Sequence, residues 1–296
     1  MKIAIYGRVT SGTDFQNLAS FFTYMHSQNI NCSIYATYAE ELKANDFLQE
    51  ALEKFPERYT SFEQIQDVNF IYSLGGDGTL LDALRFSGTS QKPLVGINFG
   101  RLGFLTTGQQ PDIISITAAL KDGNYSVDKR TLLEVNSSSD QLFNGVNFAL
   151  NDLTIHKANT NEMITVHTYI NGEYLNSYWT DGLIVSTPTG STAYSLACGG
   201  PIMMPGSDVV VLTPIAPHSL TVRPFIIPDD AVISFEIESR SGQAFVALDS
   251  RTVNVDSRIE IAVKKSAAKA HLVNVDSPSY FQTLRRRLNW GLDARN

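Results

Sequence analysis

The sequence predicts an α/β N-terminal domain followed by a β-rich second domain, and three observations carry that prediction. Apolar runs alternate with helically spaced segments up to about residue 125. From Ser126 to about Val275 the pattern changes to short alternating runs separated by turn residues. The chain's 296 residues suffice for one large domain or two ordinary ones. Strands alternating with helices build a mainly parallel sheet with helices on both faces.

Each element has its own signal. Lys2–Gly7 is a short apolar strand, and Asp14–Gln28 carries Phe15, Leu18, Phe22 and Met25 at helical spacing. Ile30–Ala36 reads as a strand, followed by a polar helical stretch from Tyr38 to about Lys54. Val68–Leu74 is a buried strand that runs straight into Gly75-Gly76-Asp77-Gly78. Thr79–Phe86 looks helical, and Pro93–Asn98 is another apolar run. In the second domain the strand candidates are Leu132–Val135, Thr154–His156, Ile164–Ile170, Val209–Thr213, Val232–Ile237, Phe245–Leu248, Ile259–Val263 and His271–Val275. Asn171-Gly172 and Ser241-Gly242 supply hairpin chemistry among them. Tyr280–Trp290 returns to helical spacing, and its Arg285-Arg286-Arg287 cluster reads as a solvated face. The expected boundaries are 1–125 for the α/β domain, 126–275 for the β-rich domain, and 276–296 for a C-terminal helix packing back on the first.

Composition narrows the function classes. Hydrophobic residues make up 43% of the chain and charged residues 18%, so a packed core forms and disorder is not expected. A formal charge of −7 disfavours broad nucleic-acid binding. It leaves room for a local phosphate site, because backbone N–H groups hold anions without net positive charge. Two cysteines, Cys32 and Cys198, are too few for a disulfide framework and form no C-x-x-C pair. The N-terminal apolar run is too short for a signal-peptide core, and no stretch approaches the length of a membrane span. A cytoplasmic protein with no membrane partner is expected.

Gly75-Gly76-Asp77-Gly78-Thr79 follows an apolar strand and opens a helix. Its three glycines permit close backbone approach to a ligand, and the helix start offers unpaired N–H groups to phosphate oxygens. The structural alternative is a plain turn with Asp77 as the helix cap. The loop lacks the G-x-x-x-x-G-K-S/T of P-loop proteins, and Leu81 stands where a dinucleotide fingerprint needs its third glycine. No protein-kinase motif set is present. The helix dipole favours a carboxylate at Asp77, and such a group beside a sugar hydroxyl can accept its proton as the oxygen attacks phosphorus. Positioning and charge neutralisation supply most of the acceleration in phosphoryl transfer, which implies Mg²⁺ or another divalent cation held mainly by the phosphates rather than by a protein cage.

Two further clusters and one short pair stand out. Asn98-Phe99-Gly100-Arg101-Leu102-Gly103-Phe104-Leu105 follows another strand; its glycines suggest backbone near a ligand, while Phe99 and Phe104 could equally pack the loop. Asp181 through Pro201 combines an acidic residue, a hydroxyl-rich turn around Thr189, Ser191 and Thr192, and Tyr194 amid small residues. Small side chains let a nucleotide approach, hydroxyls bond it, and Tyr194 offers a ring. The structural alternative is a turn and helix capped by Ser191 or Thr192. Asn151-Asp152 is an amide–carboxylate pair at a strand start, which alone is a turn signal.

In chain order, LGGDGTLL (74–81), NFGRLGFLT (98–106), LNDLTIH (150–156), DGLIVSTPTGSTAYSLACGGPI (181–202) and LTPIAPHSL (212–220) resemble the NAD kinase family. The first motif is shared with diacylglycerol- and sphingosine-kinase-like lipid enzymes; the long TPTGSTAYS segment after it is highly specific. The resemblance implies an NAD kinase/diacylglycerol kinase-like fold: a Rossmann-like α/β N-terminal domain, an all-β, sandwich-like C-terminal domain, and an active site between them. It implies transfer of the ATP γ-phosphoryl group to the 2′-hydroxyl of the adenosine ribose of NAD. Asp77 matches the family's proton acceptor, with Gly75, Gly76, Gly78, Thr79, Asn98 and Phe99 around the nucleotide site. Asn151 and Asp152 match the pair that holds the adenosine of NAD. Asp181, Thr189, Thr192, Ala193, Tyr194, Ser195, Leu196 and Ala197 match further NAD-contacting positions, as does Ala216 through its backbone. Homo-oligomers are typical, and a neighbouring subunit's side chains can complete the site.

Three positions depart from the family pattern. Asp152 stands where Glu is usual, which shortens the reach to the ribose; Ala197-Cys198 replaces the commoner Ser-Ala. Leu248-Asp249-Ser250-Arg251 stands where Asp-Gly-Gln is frequent, so no ligand contact is assigned there. Two other readings compete: a lipid kinase built on the same glycine loop, and a catalytically silent NAD(P)-binding regulator. The first needs an apolar acceptor pocket or membrane-facing surface that the sequence does not show. The second does not need the base that Asp77 supplies.

Overall fold

The computed structural model describes residues 1–100, 103–139, 142–275 and 279–289. The chain divides into two compact units, Met1–Lys129 with Ala270–Asn296 (unit 1) and Arg130–Lys269 (unit 2). Among the described residues no helix is long and apolar enough to cross a membrane.

Unit 1 contains β1 (Lys2–Gly7), α1 (Phe15–Ser27), β2 (Asn31–Tyr35), α2 (Ala36–Lys43), α3 (Asp46–Glu53), β3 (Arg58–Tyr59), β4 (Phe70–Gly75), α4 (Asp77–Ser87), β5 (Leu94–Asn98), β6 (Gly108–Gln109) and α5 (Ile113–Lys121). Its strands pair in the order β5-β4-β1-β2-β3, all parallel, with β6 also parallel to β5. Ala4 lies opposite Ile71, and Tyr72 opposite Val95. Every residue of β4 is buried, as expected for a central parallel strand covered on both faces. Ile3, Ile5, Tyr72 and Val95 pack with Leu18, Phe21 and Phe22 of α1 and with Ile113 and Ile116 of α5. The helical stretch expected from Tyr38 to Lys54 is two helices, because the Asn45 side chain accepts the Phe47 N–H at 3.1 Å and starts α3 afresh.

Unit 2 runs through most of β7 (Ser126–Ser137), then β8 (Phe148–Ala149), β9 (Asp152–Lys157), β10 (Ile164–Ile170), β11 (Glu173–Thr180), β12 (Gly182–Ser186) and the single-turn α6 (Tyr194–Ala197). It continues with β13 (Val209–Ile215), β14 (Phe225–Pro228), β15 (Ile233–Glu238), β16 (Gln243–Leu248), β17 (Arg251–Asp256) and β18 (Ile261–Asn274), whose residues from Ala270 onward belong to unit 1. One antiparallel run has the order β11-β10-β15-β18, with β7 pairing β18 and β8, and a second, six-stranded antiparallel sheet has the order β14-β13-β12-β9-β16-β17. Val166, Phe235 and Val263 of the first share a core with Leu153, Leu183, Leu212 and Val246 of the second, which makes the unit a β-sandwich. In β16 the burial alternates, whereas β12 is buried throughout. In the segment after β12, Ser195 shares a 2.9 Å hydrogen bond with Thr213 of β13.

Two turn assignments resolve differently. Asn171 and Gly172 both have positive φ (51° and 82°) and close the β10–β11 hairpin as expected. Ser241-Gly242 does not close a hairpin: β15 and β16, on either side of it, belong to different sheets. The hairpin at this place is β16–β17, turned by Asp249-Ser250. The two runs expected at Ile259–Val263 and His271–Val275 belong to one strand, β18.

The chain's last described element is α7 (Tyr280–Leu288), opened by a capping box of Ser279 and Gln282 and seated through buried Leu284. Arg285 and Arg286 are exposed, while the Arg287 guanidinium lies 5.6 Å from the centroid of the Phe104 ring. Of the C-terminal segment, 276–278 and 290–296 (including Trp290) lie outside the described residues, as do Arg101 and Leu102 of the second motif.

Candidate active site

The first group of residues gathers where β4 and β5 of unit 1 end. Ligands of parallel sheets bind beyond the carboxyl ends of the strands, where loops and helix starts converge. Helix α4 begins at Asp77 itself, two residues before the expected Thr79, with Gly76 as its cap residue and no capping side chain. Asp77 is therefore not the cap. Its carboxylate instead accepts the Phe104 N–H at 2.8 Å and the Leu105 N–H at 3.3 Å. A backbone loop thus fixes the acid's orientation, and the Phe99 N–H, donated to the Gly75 carbonyl at 3.0 Å, ties that loop's start to the glycine turn.

The glycines here are not equivalent. A Cβ on Gly75 would lie 2.3 Å from Thr79 Oγ1, so Gly75 is required by packing against the buried Thr79. A Cβ on Gly76 or on Gly78 would meet nothing within 4 Å, and neither residue has positive φ. Fold geometry gives no reason for glycine at either position. Open space beside bare backbone at a helix N-terminus is what an approaching phosphate or sugar needs. Asn98 and Phe99 are both buried, and Asn98 Oδ1 accepts the Gly100 N–H at 2.7 Å. These side chains build the loop rather than present a surface.

A second group forms in unit 2 around the start of β9. The turn following β12 packs directly on Leu150-Asn151: the Thr187 N–H donates to the Asn151 carbonyl at 2.9 Å, and the Thr187 hydroxyl to the Leu150 carbonyl at 2.6 Å. Gly190 sits so close that a Cβ there would be 2.2 Å from the Asn151 carbonyl oxygen. Ser191 and Thr192 do not cap α6; they lie in a 3-10 turn, and Ala193 precedes the helix without a side-chain cap. The Ser191 hydroxyl donates to the Pro188 carbonyl and the Thr192 hydroxyl to the Thr189 carbonyl, so both stabilise the turn from within. Thr189 is buried and accepts from Arg130. Tyr194 and Ala197 are exposed, and Thr192, Ala193 and Leu196 half-buried. Ser195 is fully buried, its hydroxyl committed to Thr213.

Asp152 is 5% exposed, with Thr154 donating to its carboxylate at 3.3 Å. Burial first, and the Asp249 carboxylate second, push its pKa up to about 7. Asp181 is held at the far end of β12: its carboxylate pairs with Lys157 Nζ at 2.7 Å, and its N–H donates to the Ile215 carbonyl at 3.0 Å. The next residue after Ile215, Ala216, is exposed and has φ of 45°, a left-handed conformation unusual for a residue with a side chain. Lys157 and the amides of Phe104 and Leu105 carry no signal in the sequence, and Asp249, to which the sequence assigns no ligand contact, bonds the backbone of Asn151 and Asp152. Backbone donors leave no mark in residue type, and a lysine opposite an aspartate on the neighbouring strand has no linear signature.

Among the described residues no group of three or more His, Cys, Asp or Glu side chains is arranged to hold a metal ion. An ion carried by substrate phosphates would need no such cluster of protein ligands.

An α/β unit with an acid at a glycine-bounded helix start, and a β-sandwich with a hydroxyl-rich turn, define a nucleotide-handling protein of two units. The family models for the ATP-NAD kinase N-terminal domain and C-terminal domain match residues 15–125 and 150–275. The NAD kinase of Cytophaga hutchinsonii is 43% identical and that of Flavobacterium johnsoniae 41%, each over the full length of both chains. The crystal structure of yeast NADH kinase complexed with NADH matches with a TM-score of 0.86 at 25% identity, over 99% of this chain and 88% of that one. An NAD kinase from Archaeoglobus fulgidus in complex with ATP shares the fold at a TM-score of 0.71 and 24% identity, over 96% and 97% of the two chains. The chain belongs to the NAD kinase family.

Proposed function

We propose that the protein phosphorylates the 2′-hydroxyl of the adenosine ribose of NAD with ATP as donor, yielding NADP and ADP. The observation that carries this reading is Asp77: a carboxylate at the start of α4, oriented by two loop amides and flanked by glycines whose bareness serves no packing purpose. The 2′-oxygen forms a bond to the γ-phosphorus while the bond from that phosphorus to the β,γ-bridging oxygen breaks, and the oxygen leaves as part of ADP. Asp77 takes the hydroxyl proton and passes it to solvent. Backbone N–H groups of Gly76, Gly78 and Thr79 face the phosphates. Unit 2 holds the adenosine: Asn151 and Asp152 bond it, Asp181 and the Ala216 backbone contact the dinucleotide, and Thr189, Thr192, Ala193, Tyr194, Leu196 and Ala197 line it. Ser195 supports that turn through Thr213.

A divalent cation such as Mg²⁺, bound to the triphosphate, supplies charge neutralisation on the transferred group. The same reading places the enzyme in the cytoplasm as a homo-oligomer, with NAD and ATP as its partners.

The test is direct. Purified protein with ATP, Mg²⁺ and NAD is assayed for NADP by a coupled NADP-specific dehydrogenase, alongside diacylglycerol as an alternative acceptor. NADP formation without lipid phosphorylation supports the reading. Phosphorylated lipid and no NADP would transfer it to the lipid-kinase class, and tight NAD binding without turnover to the silent regulators.

A further inference from the structure

The β16–β17 turn grips the segment that leads into β9. Asp249, in left-handed conformation at φ 51°, sends its half-buried carboxylate to three consecutive N–H groups: Leu150 at 3.0 Å, Asn151 at 2.8 Å and Asp152 at 3.3 Å. The return bond runs from the Asp249 N–H to the Asp152 carbonyl at 3.0 Å. Two residues on, the Arg251 guanidinium donates to the carbonyls of Val146 and Phe148 and lies 5.4 Å from the Phe143 ring centroid. One tight turn thus takes the amides at one end of the 146–152 segment and the carbonyls at the other.

We infer that Asp249 and Arg251 are positioning residues for dinucleotide binding, a clamp that sets the Asn151–Asp152 pair against the adenosine ribose. The inference rests on the reading that this pair binds NAD. Three converging N–H donors fix both the course of the backbone and the angle at which the two side chains leave it. No ligand contact by Asp249 is required, because its carboxylate is already occupied by protein. A shortened carboxylate at 152 makes such placement more consequential, since an Asp has one fewer rotatable bond than a Glu with which to correct an error.

The clamp also carries an electrical consequence. Asp249 faces Asp152 from the β16–β17 turn, while Tyr194 and Cys198 face it from α6 and the Arg251 guanidinium lies beyond Asp249. Burial pushes Asp249 above the usual carboxylate range, with its three amide donors and Arg251 pulling back. Neutralising residue 249 removes the like charge that helps raise Asp152. The pH at which the Asp152 carboxylate becomes available to a ribose then moves in the acid direction.

Asp249→Asn and Arg251→Gln, made in the full chain, separate a positioning role from a merely structural one. NAD affinity is read by titration calorimetry between pH 5.5 and 8.5, amide hydrogen exchange over residues 146–152 by mass spectrometry, and turnover by NADP formation. In Asp249→Asn, exchange over that segment accelerates and NAD Kd rises at least tenfold. KM for ATP stays within about twofold, and the acid limb of NAD binding moves down by about half a pH unit or more. Arg251→Gln weakens NAD several-fold and serves where Asp249→Asn does not fold. Unchanged NAD affinity and an unmoved pH limb in folded variants would overturn the clamp, whatever happens to Tm. A wild-type protein that binds NAD but forms no NADP would overturn the proposed reaction and leave the clamp standing.

Discussion

Gly103 stands against the Asp77 carboxylate so closely that a Cβ at residue 103 would lie 1.8 Å from Asp77 Oδ1. No side chain fits there without expelling the acid, and the amides of the next two residues hold the acid in place. Catalytic groups lose their effect when displaced by about 1 Å, because the reactive geometry is narrow. Gly103→Ala is expected to lower kcat by about 10²-fold while KM for NAD stays within a few-fold. Steady-state kinetics on the variant checks it; an unchanged kcat would show that the loop does not position Asp77.

Gly190 has the corresponding place in unit 2, 2.2 Å from the Asn151 carbonyl oxygen once a Cβ is built. Overpacking against backbone cannot be relieved by a rotamer change. Gly190→Ala is expected to cost about 2 kcal/mol of stability or more and to raise KM for NAD rather than lower kcat. Urea unfolding and initial rates distinguish the two effects, and a variant as stable as wild type would argue against this packing.

Asp152 makes a pH-dependent contribution to stability. Its carboxyl is pushed up to about 7 in the folded state against about 3.9 unfolded, so the folded chain holds the proton more tightly between those values. Stability from this group is therefore fully present below pH 4 and is lost as pH rises toward 7. Asp152→Asn, which cannot ionise, is expected to be more stable than wild type at pH 8, by on the order of 2–4 kcal/mol, and equally stable near pH 4. It is also expected to bind NAD less well. Thermal unfolding at the two pH values measures the difference, and a constant offset between the proteins would contradict the assigned cause.

Chelation separates substrate-borne metal from structural metal. With no described cluster of three metal-ligating side chains, EDTA is expected to abolish phosphoryl transfer while leaving Tm within about 1 °C. A fall of several degrees on chelation would reveal a structural ion.

The residues that were legible in the sequence are those whose type carries the information. Val68–Leu74 reads as a buried strand because most of its side chains are apolar, and the glycine run after it marks a turn; the strand observed there is Phe70–Gly75. Asn171-Gly172 reads as a hairpin because both positions need positive φ. What stayed hidden is defined by partners distant in sequence. The sequence assigns Asp249 no contact, and only the neighbouring strand shows that its acceptors are filled by amides some 98 positions away. Ser241-Gly242 has the same local chemistry as a hairpin turn, yet connects two sheets, because pairing is decided by the packing of β15 and β16 and not by the turn. Ser195 was legible as small and polar, but not as fully buried with its hydroxyl on Thr213.

Asp77→Asn measures most directly whether the carboxylate at the start of α4 accepts the ribose proton. The substitution keeps the size of the side chain and its carbonyl oxygen as an acceptor for one loop amide, and it removes the basic oxygen. NAD affinity is expected to stay within a few-fold of wild type and turnover to fall by about 10²–10⁴-fold, the usual scale for loss of a general base. Turnover within a few-fold of wild type in a folded, NAD-binding Asp77→Asn protein would show that another group takes the proton.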